Sequence, residues 1–137
     1  MAKQKDRIII DTNLWISYLL SPNFRKLDYI ISKKTIKLLF SRESLEELIT
    51  VTQRPKFKKY FNPADVDVLL TALRIRSTFI DVHSQVDVCR DEKDNFLLAL
   101  AHDGKATHLL TGDKDLLILK WYKKTQIISI EEYLRSK

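Results

Sequence analysis

The chain has 137 residues, 45% hydrophobic and 31% charged, with only 2 Gly and 3 Pro, which suits a single compact domain over residues 1–137 and excludes disordered, collagen-like and loop-dominated designs. Lys and Arg number 24 against 18 Asp and Glu, and the resulting net charge of +6 favours an acidic partner, nucleic acid being the commonest. The lone Cys89 excludes an internal disulfide, no apolar run reaches the roughly 20 residues of a bilayer span, and Ile8–Ile10 runs at once into Asp11 rather than into a signal-peptide core, so a reducing, cytoplasmic setting is expected.

Short β-forming runs occur at Arg7–Ile10, Ile36–Phe40, Thr78–Val82, His108–Thr111 and Gln126–Ser129. Most are apolar at consecutive positions, the pattern of strands covered on both faces. Helical patterns fill the intervals. Thr12–Leu20 is interrupted by Pro22 and resumes over Phe24–Ile31; Ser41–Thr52 begins on a hydroxyl cap and places Leu45, Leu48, Ile49 and Thr52 on one stripe. Asn62-Pro63 opens a helix running to about Arg76 that buries Val66, Leu69, Leu70 and Leu73. Asp94–Asp103 is the most apolar helix and Gly104 stops it; Ser129 and Glu132 have capping-box spacing for a last short helix. The order β-α-α-β-α-α-α-β-α-β-α-β-α predicts an α/β three-layer sandwich, a central mostly parallel sheet flanked by helices, with its ligand crevice at the carboxyl ends of the strands.

Those ends are acidic. The first strand runs into Asp11-Thr12-Asn13 and the fourth through Thr111-Gly112 into Asp113-Lys114-Asp115; Asp94 opens the apolar helix with Asp91 one turn earlier, and Glu47 lies in the helix after Phe40. Helix capping accounts for any one of these carboxylates. It accounts less well for all of them, because Glu47 lies inside a helix and Asp11 and Asp113 follow wholly apolar strands. Gathering such charges is costly: two at about 4 Å repel by roughly 4 kcal/mol at an effective dielectric of 20. A divalent cation relieves that cost, and an oxygen-only donor set selects Mg²⁺ or Mn²⁺ over zinc.

Four segments together, Ile8-Ile9-Ile10-Asp11-Thr12-Asn13, Ser44-Leu45-Glu46-Glu47-Leu48, Arg90 through Ala101, and Leu110-Thr111-Gly112-Asp113-Lys114-Asp115-Leu116, resemble the PIN domain family over roughly Ile8 to Leu134. The chain is most similar to small prokaryotic PIN proteins of the toxin–antitoxin, VapC-like type. The resemblance implies a metal-dependent nuclease, mostly acting on RNA, with Asp11, Glu47, Asp94 and Asp113 as the catalytic and metal-binding acids and one or two Mg²⁺ or Mn²⁺ ions. Asp115 and Asp91 match companion acids, Asn13 and Thr111 match supporting polar positions, and Glu47 is favoured over its rival Glu46. Asp11 would be the central ligand, and Glu47 would either complete a metal shell or orient the attacking water. The family also implies a 5′-phosphate product, an antitoxin covering the acidic site, and a second copy of the chain as partner. The small size favours a toxin-like unit; a non-catalytic RNA-binding or protein-interaction module and a housekeeping nuclease are the alternatives.

Competing chemistries find little in the residues. No Ser/His/Asp triad or Cys/His pair emerges, His83, His102 and His108 are scattered, and Cys89 reads as a half-buried hydrophobe. A haloacid-dehalogenase-type phosphatase would want an acid where Asn13 stands, and a phosphoacceptor receiver would want an acidic pair near Asp11. Cations cluster at Lys33, Lys34 and Lys37, at Arg74 and Arg76, at Lys123 and Lys124, and at Arg54, Lys56, Lys58 and Lys59. The last group interleaves with aromatics, so its cations could hold RNA phosphates while Phe57, Tyr60 or Phe61 stacks on an unpaired base; the alternative buries Phe57 and Phe61 in the core, and the balance favours RNA for the cations and the core for the aromatics. Exposed apolar surface is hinted at around Trp15, Tyr18, Leu19 and Leu20, although core packing accounts for most of it.

Overall fold

The structure, a computed structural model, describes residues 5–20 and 25–137. Strand β1 (Asp6–Ile10) leads to helices α1 (Thr12–Leu20) and α2 (Arg25–Ser32), then β2 (Ile36–Phe40), α3 (Arg42–Thr52), α4 (Pro55–Lys58), α5 (Pro63–Arg76) and β3 (Thr78–Phe79). The second half runs α6 (Glu92–Asp103), β4 (His108–Leu110), α7 (Lys114–Leu117), β5 (Trp121–Tyr122), β6 (Thr125–Ile128) and α8 (Ile130–Arg135). The break expected at Pro22, the resumption at Phe24 and the Tyr18 side chain lie outside the described residues.

The sheet has the order β3-β2-β1-β4-β6-β5 and is parallel except for the β5–β6 pair. Consecutive apolar residues on a strand point to opposite faces. Accordingly Ile8, Ile10, Leu38, Phe40, Leu110 and Ile128 pack with α1, α3 and α5 on one side. Ile9, Leu39, Leu109 and Ile127 pack with α6 and α7 on the other. Each central strand is thus buried on both faces, which gives the three-layer α/β sandwich. Trp15 is fully buried in the first cluster, stacked on Phe40 with centroids 6.0 Å apart, so it is core and not exposed surface. Leu20 is exposed.

Several element ends differ from expectation, each for a local reason. The third strand stops at Phe79 instead of Val82, after one further bond from the Ile80 amide to the Phe40 carbonyl (2.8 Å), because β2 itself ends at Phe40. The chain then continues as a strap whose amides at His83 and Ser84 donate to Asp103 Oδ2 (2.6 and 2.8 Å). The hairpin strand β5 was not anticipated: its two-residue connection is Lys123-Lys124, with Lys123 at φ 53°, where Asn or Gly would have signalled a turn. The apolar helix starts at Glu92, not Asp94, with Asp91 as its cap.

Gly104 ends α6 in an ordinary right-handed conformation, and the left-handed position falls on Lys105 at φ 53°. Amides of Lys105 and Ala106 donate to the carbonyls of His102 (3.2 Å) and Ala101 (2.9 Å), a Schellman closure. Glycine is needed at 104 for space: a Cβ there would meet the Leu100 carbonyl oxygen at 3.0 Å and side-chain carbons of Ile80 and Leu39 at 3.1 Å. Thermal unfolding should therefore show Gly104→Ala destabilised by about 1 kcal/mol through overpacking. Lys105→Gly should gain about 0.5–1 kcal/mol by removing the left-handed strain.

Candidate active site

Strands β1 and β4 lie side by side, with Ile10 paired to Leu110. The sheet grows outward from this pair in both directions, so their carboxyl ends form the switch point where α/β sheets open a crevice. The Asp11 amide continues the ladder, donating to the Leu110 carbonyl (3.0 Å), which sets the Asp11 carboxylate at the mouth. Its Oδ2 accepts from the Thr111 hydroxyl (2.9 Å) and its Oδ1 from the Asn13 backbone amide (3.1 Å). Thr111 is fully buried and its hydroxyl also accepts from the Asp113 amide (3.0 Å), so one side chain ties the two strand ends together. The Asn13 contact comes from backbone, and its side chain is exposed.

Asp113 caps α7, its Oδ1 accepting from the Asp115 amide (2.8 Å). Asp91 caps α6, accepting from the Lys93 amide (2.9 Å). Asp94 is different. It sits inside the first turn of α6, is 5% exposed, and its Oδ2 is buried with no hydrogen-bond partner among the described residues. Glu47 comes from α3 on the opposite face of the sheet and is half-buried, whereas Glu46 is exposed and does not line the cleft. Asp115 is drawn away from the centre by Arg90, whose Nη2 donates to both carboxylate oxygens at 2.9 and 3.2 Å.

Asp11, Glu47, Asp94 and Asp113, with Asp91 and Asn13, line one cleft of about 330 Å³ between the two helical layers. Thr111 supports it from beneath, and Asp115 stands outside the lining. Burial pushes the Asp94 carboxyl up to about 6, and the negative charges of Asp113, Asp91, Asp11 and Asp115 push the same way. Asp11 is also raised by burial; its two hydrogen bonds oppose that rise, and the Asp113 and Glu47 charges add to it. Among the described residues no three His, Cys, Asp or Glu side chains stand close enough together to hold a metal ion as they are placed. The donor chemistry nevertheless fits a hard divalent ion: carboxylate oxygens from four segments, no His or Cys in the lining, and one buried oxygen left unsatisfied.

A family profile for the PIN domain matches residues 7–115, and those bounds contain all four of these acids. The chain is a PIN domain. It is also 37% identical over 124 residues to the uncharacterized protein MJ1680 of Methanocaldococcus jannaschii, covering 88% of this chain and 79% of that protein. No solved structure matches it significantly. PIN domains are generally nucleases and typically use divalent metals, which implies a nucleic-acid substrate. Among the described residues no helix of this PIN domain is long and apolar enough to cross a membrane.

Sequence reasoning missed several residues of the cleft. Glu43 and Glu92 add two acids to its lining, each indistinguishable in sequence from a first-turn helix acid. Ser41, the expected cap of α3, forms a reciprocal capping box with Ser44, whose part was hidden because Ser stands where Glu or Gln is the usual signal. Asn95, 2% exposed, accepts from the Val88 and Cys89 amides (3.0 and 2.8 Å) and donates to the Cys89 carbonyl (3.0 Å). That grip fixes the approach to Asp91 and Asp94. Cys89 itself is half-buried, its thiol pushed up by burial and then by the nearby carboxylates, so it is a poor nucleophile.

Among the described residues Lys93 is the one cation in the cleft lining, 3.5 Å from Glu47 Oε1. Lys93 is exposed and Glu47 only half-buried, so the pair adds little to stability. Its effect is on charge: an ammonium beside Glu47 competes with any divalent ion for that carboxylate. Lys93→Gln should leave the unfolding midpoint within about 0.5 kcal/mol of wild type while tightening Mn²⁺ binding in a calorimetric titration. Unchanged or weaker Mn²⁺ affinity would show that Lys93 does not compete.

Arg54, Lys56, Lys58 and Lys59 do not line the cleft. They lie on and beside α4 at the far end of α3, all exposed, and no ion pair to any of them is recorded among the described residues. Phe61 is buried and Phe57 packs against the core, their rings stacked with centroids 6.1 Å apart, as expected for the aromatics of this segment.

Proposed function

We propose that this PIN domain is a Mg²⁺- or Mn²⁺-dependent endoribonuclease, acting as the toxin of a toxin–antitoxin pair. The observation that carries the nuclease reading is the convergence of Asp11, Glu47, Asp94 and Asp113 on one cleft, with an oxygen of Asp94 buried and unpaired. Asp11, Asp94 and Asp113 would hold the ion or ions, and Glu47 would complete the shell or orient the attacking water. Divalent ions bound there would neutralise charge on the phosphodiester and the departing oxygen and make water a competent nucleophile near neutral pH.

The chain's own groups prepare that chemistry. Thr111 and the Asn13 amide fix both oxygens of Asp11, so its orientation is set before substrate arrives. The cap to the Asp115 amide occupies one oxygen of Asp113 and aims the group from the head of α7. Ser41 and Ser44 fix the first turn of α3, and through it the position of Glu47. Arg54, Lys56, Lys58 and Lys59 would hold backbone phosphates of the RNA, giving affinity that falls steeply with salt.

The toxin assignment rests on the likeness of the motifs to the VapC-like group, and it brings with it an antitoxin and a second copy of the chain as partners in the cytoplasm. Labelled RNA incubated with the purified chain should be cut when Mn²⁺ is added and remain intact in EDTA. Binding of Mn²⁺ and RNA without any cleavage would instead favour the non-catalytic module. Growth arrest on induced expression, absent for Asp11→Asn, separates a toxin from a housekeeping nuclease.

A further inference from the structure

Outside the acidic cleft, a second recess lies between the end of the basic segment and helices α1, α2 and α5. Its volume is about 570 Å³, within the range of small-molecule sites. Tyr60 and Phe61 form part of its wall, Leu19, Ile31 and Leu69 supply apolar surface, and Asn62 and Asp65 supply polar groups. The two aromatics differ sharply. Phe61 is buried against Phe57, whereas Tyr60 is 64% exposed. The turn that presents it is closed by a bond from the Tyr60 amide to the Phe57 carbonyl (2.9 Å), and Lys59 Nζ lies 5.1 Å from its ring centroid.

A large exposed aromatic beside an apolar recess offers a stacking platform, and the surrounding charge favours one kind of occupant. Arg54, Lys56, Lys58 and Lys59 crowd the same segment, exposed and without an ion pair among the described residues, a surface whose charge complements an anionic partner. A polyanion that also carries flat π-faces is a single-stranded nucleic acid. A duplex hides its base faces in the stack and offers this surface only phosphates.

We infer that Tyr60 and its recess form a subsite for an unpaired nucleobase, with the four cations holding the adjoining phosphates. This deepens the ribonuclease reading and rests on it for the identity of the strand as RNA. The base stacks on the Tyr60 ring, Asn62 and Asp65 face its edge, and the chain gains a preference for unpaired nucleotides at a point remote from the scissile bond.

The test measures binding in EDTA, where no cleavage intervenes, using the full chain and three fluorescent probes: a single-stranded oligouridylate, the same length of abasic ribose-phosphate strand, and an RNA duplex. Wild type should prefer oligouridylate over the abasic strand, and Tyr60→Ala should lose about 5- to 100-fold in affinity for oligouridylate alone. Tyr60→Phe should keep the affinity, and Tyr60→Leu, which preserves apolar bulk without the π-face, should lose it. The slope of log affinity against log salt should be unchanged in the Tyr60 variants and shallower by about 0.7 in Lys58→Gln. Equal wild-type affinity for base-bearing and abasic strands, or an unchanged affinity in Tyr60→Ala, overturns the inference and leaves the recess to a protein partner. Because nothing is cut in this measurement, a wild-type chain that fails to cleave RNA with Mn²⁺ overturns the ribonuclease reading while the base-stacking result stands separately.

Discussion

Asp11→Asn is expected to reduce Mn²⁺-dependent RNA cleavage by at least about a hundredfold with little change in stability. The amide keeps the shape of the carboxyl, and its oxygen can still accept the Asn13 amide. The Thr111 hydroxyl, which already accepts from the Asp113 amide, would have to accept from the new NH₂ group as well and give up its own acceptor, a local cost that offsets part of the charge relief. What disappears is one negative charge at the point where Asp113 and Glu47 already repel it, and this relief works against the lost Thr111 bond, so the variant should unfold close to the wild-type denaturant concentration. Loss of turnover combined with retained stability is the signature of a functional charge rather than a structural one. A folded Asp11→Asn protein that cleaves at the wild-type rate would remove Asp11 from the mechanism and the proposal with it.

The second large effect is an inverted pH dependence. The Asp94 carboxyl holds its proton up to about pH 6 in the folded chain, against an ordinary value of 3.8 that applies once unfolded. The folded state therefore binds that proton more tightly, and its contribution to stability is complete below about pH 4 and lost as pH rises through about 6. In EDTA the metal-free protein should weaken over this interval. Other groups act with the opposite sign. Asp103, held down to about 2 by the Ser84 hydroxyl and amide, and Asp6, held down by Lys137 and Tyr133 against its own burial, lose their contributions only at more acidic pH. His108, lowered by burial, gains stability as it loses its proton.

Comparison with Asp94→Asn cancels these contributions. The variant should be the more stable protein at pH 7.5 in EDTA, by an amount of order 1 kcal/mol after solvent screening, and the difference should vanish near pH 4. Mg²⁺ or Mn²⁺ at a hundredfold excess over its dissociation constant should add about 2.7 kcal/mol to wild type at pH 7.5. It should add far less to the variant. A wild-type minus variant difference that is flat from pH 4 to 7.5 would contradict the burial and crowding of Asp94.

The sheet was legible because its central strands are buried on both faces, which leaves uninterrupted apolar runs such as Ile8-Ile9-Ile10 and Leu38-Leu39-Phe40. The acids were legible for a related reason: a carboxylate at or just beyond the end of such a run stands at the sheet's open end, as Asp11 does directly after β1 and Asp113 does three residues past β4. Glu47 and Asp94 were harder, since a helix offers acids on every side, and the family pattern carried their assignment. What stayed hidden depends on contacts between distant segments. Lys93 reads as one more helix cation until it is found beside Glu47. Asn95 reads as a polar residue in an apolar helix until it is seen gripping the backbone at Val88 and Cys89. The start of α6 was misplaced because Asp91 and Asp94 are both credible caps; the cap is Asp91, and Asp94, freed from that duty, is left with a buried oxygen to spare.

The two hydrophobic clusters lie on opposite faces of one sheet, and α3 belongs to the first while α6 belongs to the second. On the proposed reading, a cation gripped by Glu47 and Asp94 together would act as a mechanical brace across the sheet's rim, resisting shear between layers that the exposed Lys93–Glu47 pair joins only weakly there. Amide hydrogen exchange would then slow in both helices at once on adding Mn²⁺, and the enzyme would stiffen when armed for cutting.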